Sequence, residues 1–90
     1  VCRRLDRLAR DLGRLGWASA PRYSNSPPEL LVRSSLTSSV GDTVSVVRGE
    51  RTWWYRSSTG AWLGPCYAPS RAAETVGELL RSWGIRPGVE

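Results

Sequence analysis

The sequence predicts an α+β domain: a helix, a three- or four-stranded antiparallel sheet and a second helix, with both helices on one sheet face. Three observations carry this reading. Leu5, Leu8, Leu12 and Leu15 recur at the three-and-four spacing of a helical stripe. The stretch 29–64 alternates polar and apolar residues between turn signals, and Ala72, Val76, Leu79, Leu80 and Trp83 form a second stripe that stops at a glycine. Two amphipathic helices need an apolar surface to cover, and one face of a small sheet supplies it. Ninety residues are enough for one such core, so the chain reads as a single domain over 1–90.

The first helix is expected over 3–16. Arg3, Arg7, Arg10 and Arg14 follow the leucines' spacing on roughly the opposite side and make an arginine ridge. Asp6 lies four residues before Arg10 and Asp11 three before Arg14, spacings that pair charges on a helix surface. Gly16 supplies the stop, with Trp17 as the apolar residue after it. From Ala18 to Pro28 the residues turn to Ser, Pro, Asn and Arg, which reads as a connecting loop.

Strands are expected over Leu30–Leu36 and Thr43–Arg48, separated by a polar turn around Ser38 to Asp42. Gly49-Glu50 then has the form of a two-residue type II′ hairpin, which would pair Arg48 with Arg51, Val46 with Trp53 and Val44 with Tyr55. A second turn near Ser57 to Gly60 returns the chain into Ala61-Trp62-Leu63. Parity then puts Val44, Val46, Trp53, Tyr55 and Trp62 on the core face and Trp54 with Arg56 on the other. The last helix is expected over 69–83, with Pro69 in its first turn and Ser70 able to cap. Gly84 and Ile85 end it, and 84–90 is a tail.

Function is constrained mainly by exclusion. The chain has no histidine, so nucleophile systems built on Ser/His/Asp or Cys/His, and metal sites that use histidine, have no residues to form them. Cys2 and Cys66 make no C-x-x-C pair, and the three Asp and five Glu fall at no metal or glycosidase spacing. No glycine-rich phosphate loop precedes a helix, and no cofactor motif is present. The expectation is a non-enzyme without cofactor or metal. Cys66 lies in a Gly-Pro-Cys-Tyr loop near a helix start, where either a reactive thiol or a semi-buried apolar residue would fit.

The formal charge is +5, carried by 13 arginines and no lysine. Such a surface attracts acidic proteins, nucleic acid or anionic membrane, or is simply solvated. The apolar runs are only a few residues long, so no membrane span is expected, and free thiols in a reducing cytoplasm are assumed for the two cysteines. The start at Val1 without methionine reads as a trimmed chain.

The interaction surface expected from strand parity is the outer sheet face with Trp54, Arg56 and Val47, because a large ring beside an arginine suits a protein interface or base stacking. The expected partner is a protein, including a second copy of the chain as a homodimer. The alternative is nucleic acid, held by Arg3, Arg7, Arg10 and Arg14 and stacked on Trp54.

Three resemblances bear on this. The element order and positive charge look like a double-stranded RNA-binding domain, but Pro69-Ser70-Arg71-Ala72-Ala73-Glu74 stands where that family has a Lys-rich helix start, so no RNA contact carries over. Thr52 to Trp62 is similar to an aromatic choline-binding repeat, which works in tandem arrays. The stretch from Gly41 to Leu80 resembles small proteins of high-GC actinobacteria that have no established activity. That last resemblance implies a soluble cytoplasmic accessory role and supplies no functional residues.

Overall fold

A computed structural model describes residues 2–34 and 41–85, apart from the side chain of Cys2. The end of the strand expected to Leu36, most of the turn expected from Ser38 and the tail beyond Ile85 lie outside these residues. The state of the Cys2 thiol lies outside them too, whereas Cys66 is a free thiol.

The order is α1 (Cys2–Arg14), β1 (Trp17–Arg22), β2 (Glu29–Ser34), β3 (Gly41–Arg48), β4 (Trp53–Ser57), β5 (Trp62–Pro65) and α2 (Pro69–Ser82). All five strands form one antiparallel sheet in chain order. The architecture is thus α+β with two helices, and the sheet has five strands where three or four were expected.

The additional strand is β1, inside the stretch read as a loop. Trp17 pairs with Ser34 and Arg22 with Glu29, so an edge strand is built from Ala, Ser and Pro by pairing with β2. Pro21, which cannot donate to a ladder, is tolerated at an edge. Trp17 anchors the strand: it is 3% exposed and its indole lies against α2 at Gly77, where an added Cβ would stand 3.1 Å from Trp17 Nε1.

The core contains Leu5, Leu8 and Leu12 of α1, Ala72, Ala73, Val76 and Leu80 of α2, and Leu30, Val32, Val44, Val46 and Tyr55 of the sheet. Both helical stripes therefore meet the same sheet face. Each stripe stops short of its expected end, since Leu15 and Trp83 follow the helices and remain 40% and 45% exposed. Glycines with positive φ follow both helices, at Gly16 and Gly84. After α2 the Gly84 amide bonds to Arg81 O and the Ile85 amide to Leu80 O, which folds the buried Ile85 back on the last turn as expected. Pro69 opens α2, but Ala68 is the cap residue and makes no side-chain bond, so Ser70 does not cap.

Two registers differ from expectation, with opposite consequences. Between β3 and β4 the connection has four residues, and Arg48 faces Trp53, Val46 faces Tyr55 and Val44 faces Ser57. This is a slip of two residues, which leaves every side chain on its expected face. Gly49 does not take positive φ; it makes room, because a Cβ there would lie 2.4 Å from Trp54 Cδ1. Between β4 and β5 the pairing jumps from Tyr55 with Gly64 to Arg56 with Trp62, so Leu63 is an extra residue. One extra residue reverses the faces. Leu63 is buried at 3%, whereas Trp62, expected in the core, points outward at 51% exposure.

Candidate interaction face

The outer sheet face is the side that the helices do not cover. Alternation along β3 turns Thr43, Ser45 and Val47 outward, and along β4 Trp54 and Arg56. Val47 and Trp54 are direct cross-strand partners, and Arg56 faces Ser45 on one side and Trp62 on the other. The structure therefore brings together the three residues singled out from the sequence, and it adds Trp62.

The rings of Trp54 and Trp62 meet edge to face, 5.7 Å between centroids at 89°. The Arg56 guanidinium lies 5.3 Å from the Trp62 centroid, while its Nε–H donates to the Gly60 carbonyl at 3.2 Å. Arg56 is thus held at two points, and its position over the ring is fixed by the turn that precedes β5. Beside this cluster an open groove of about 470 Å³ runs past Glu29, Ser45, Val47, Arg56, Ser58 and Thr59. The Asn25 amide donates to Glu29 at 3.1 Å, and Arg22 is the cross-strand neighbour of Glu29.

Sequence reasoning missed Trp62 because it carried strand parity through the last turn unbroken. The available signal was Gly64, since a glycine inside a strand marks a bulge.

Trp53 and Tyr55 lie on the core side, as expected. Trp53 packs on the core's margin, with the guanidinium carbons of Arg4 and Arg48 at 5.3 and 5.4 Å from its ring centroid. Tyr55 is fully buried and its hydroxyl donates to the Arg4 carbonyl in α1 at 2.5 Å. Burial pushes its ionisation well above the ordinary tyrosine range, and the neighbouring Cys66 pushes it the same way. Cys66 is itself a buried free thiol, raised by desolvation against the lowering effect of Arg4. A buried thiol of raised pKa packs as an apolar group and is a poor nucleophile, so the apolar reading of Cys66 holds.

The arginine ridge forms as expected. Arg3, Arg7, Arg10 and Arg14 are all exposed on α1, and Arg14 meets Asp11 at 3.5 Å. Asp6, expected beside Arg10, accepts a hydrogen bond from the Tyr23 hydroxyl at 2.5 Å. Because α1 covers the inner face of the sheet, the ridge and Trp54 lie on opposite sides of the molecule and do not form one site.

At the far end of the inner face Asp42 is buried at 6%. Its Oδ1 accepts from the Thr43 amide at 2.8 Å and from the Ser58 hydroxyl. Among the described residues, no three or more His, Cys, Asp and Glu cluster as metal ligands, and no helix is long and apolar enough to cross a membrane. Set against known protein families, curated proteins and solved structures, the chain matches none of them.

Proposed function

We propose that the chain is a small non-enzymatic interaction domain that docks a protein partner on the outer face of its sheet. The observation that supports this is the outward Trp62, half exposed, braced by the edge of Trp54 and covered on its ring by Arg56. Tryptophan and arginine are the residues most enriched where binding energy concentrates in protein interfaces, and here they are fixed before any partner arrives. Self-association is the narrower form of the reading, since an isologous contact needs only this one surface.

A photo-crosslinking residue placed at Ser45, on the outer face, is expected to trap a protein in the producing cell, and the same residue at Arg71 on α2 is not. Equal trapping from both positions, or an adduct removed by nuclease, refutes the proposal. Sedimentation of the purified chain tests the homodimer. If the dimer exists, Trp54→Ala shifts the mass toward monomer with an unchanged circular dichroism spectrum, and an unchanged mass rejects it.

The nucleic-acid reading draws its support from the exposed Arg3, Arg7, Arg10 and Arg14 ridge. It predicts affinity for a nucleic-acid strand that falls steeply as salt rises. Loss of that affinity in Arg7→Gln with Arg10→Gln would favour it, and no binding at low salt would end it.

A further inference from the structure

We infer that the occupant of the outer sheet face is an extended acidic peptide segment of a partner protein, seated with an apolar side chain in the corner between Trp54 and Trp62. This rests on the reading of that face as a protein-docking surface and names the chemistry the surface selects.

The first argument is charge. Arg22, Arg33 and Arg56 turn outward from the sheet, together with one carboxylate, Glu29. Glu29 has Arg22 as its cross-strand neighbour and the Asn25 amide as a hydrogen-bond donor, so its charge is locally offset. Arg33 and Arg56 are left to set the sign of the face. Two copies of the chain joined through this surface would set like charges together, each copy carrying +5, and such contacts are disfavoured by electrostatics. A partner with carboxylates meets no such opposition, and the planar guanidinium of Arg56 has the fork geometry that carboxylates prefer.

The second argument is shape. Single-stranded nucleic acid binds on rings that present open π-faces to successive bases. The two indoles here stand at 89° to one another, and Arg56 already lies over the Trp62 ring. That arrangement is a notch, suited to one compact apolar side chain such as proline or leucine. The adjoining groove is bordered by the hydroxyls of Ser45, Ser58 and Thr59; Ser58 already donates to Asp42 and Thr59 is bonded to Ser57, so these two keep lone pairs to accept from the amides of an extended backbone. A peptide lying from the notch along this groove would pass Arg56.

The test is fluorescence anisotropy with a short fluorescein-labelled peptide of glutamates around one central Pro-Leu pair. Controls are the same peptide with lysine for glutamate and a short single strand of thymidines. Saturable binding of the acidic peptide, weakened about tenfold or more by Trp62→Ala and by Arg56→Gln but not by Arg71→Gln on α2, is the expected result. Circular dichroism of each variant confirms that it is folded.

No saturation by the acidic peptide, or equal binding of the lysine peptide, overturns the inference. So does tighter binding of the thymidine strand that the same two sheet variants abolish, or a stable dimer of the chain that Trp62→Ala dissociates. If the acidic peptide fails while crosslinking at Ser45 still traps a protein, the chemistry assigned to the partner is wrong and the docking reading survives. If both fail, the docking reading falls as well.

Discussion

Replacing Tyr55 by phenylalanine removes a single oxygen from the middle of the core. The ring is fully buried, and the oxygen's hydrogen bond runs to the Arg4 carbonyl, joining the sheet to the first turn of α1. In Tyr55→Phe that carbonyl keeps the partner that helix geometry supplies, and the buried Cys66 thiol, a weak donor, loses its contact with the hydroxyl, so the loss stays close to the net value of one hydrogen bond, about 1 kcal/mol. For a domain of this size that is a fall in Tm of roughly 4–8 °C.

The alkaline side gives a second, independent signature. Tyr55 ionises well above its ordinary value of 10.0 in the folded chain, because burial disfavours the phenolate. A raised folded value means that the native state holds its proton after the unfolded state has lost it. The stabilising contribution is therefore complete below about pH 10 and is lost as pH rises, at up to about 1.4 kcal/mol per pH unit. Urea denaturation followed by circular dichroism should show the wild type losing about 1.4 kcal/mol more than Tyr55→Phe between about pH 9 and pH 11. Cys66 titrates in the same direction and is hydrogen-bonded by Tyr55, so the comparison is made with Cys66→Ala in both proteins, which isolates Tyr55. Equal alkaline slopes, with a loss below about 0.3 kcal/mol at neutral pH, would refute both the burial of this hydroxyl and its tie to α1.

Three further outcomes follow from the packing around β5. Gly64→Ala should cost about 2–4 kcal/mol in urea denaturation, because Gly64 has φ +155 and an added Cβ would stand 3.1 Å from the Cα and Cβ of Ala72; a loss below about 1 kcal/mol would contradict that close approach. Leu63→Ala should cost about 3 kcal/mol and Trp62→Ala no more than about 2, and the reverse order would mean that the bulge is absent and Trp62 faces the core. Native Cys66 should react with a thiol-specific disulfide reagent at least about a hundredfold more slowly than in denaturant, a rate read on Cys2→Ser, and fast native labelling would show the thiol to be accessible.

The two helices were legible in the order of residues because a stripe spaced at three and four has one natural conformation in water, and the glycines at Gly16 and Gly84 mark the stops. The sheet faces of Val44, Val46, Trp53, Trp54 and Tyr55 were legible for a similar reason: side chains alternate with period two, and a slip of two residues at the Arg48 to Trp53 turn does not change parity. The strand β1 was not legible, since Ala18, Ser19, Ala20 and Pro21 have little strand preference of their own and are held extended by β2 and by Trp17 against α2.

Nor was the position of Trp62. Either Leu63 or its neighbour could enter the core, and the choice rests on the bulge, on the approach of Ala72 to Gly64 and on the brace between Gly60 and Arg56. Local periodicity therefore determined the elements and most of their faces. Tertiary packing decided which ring was left outside, because a single inserted residue reverses a strand's faces and only the partner surfaces determine whether that insertion is favourable.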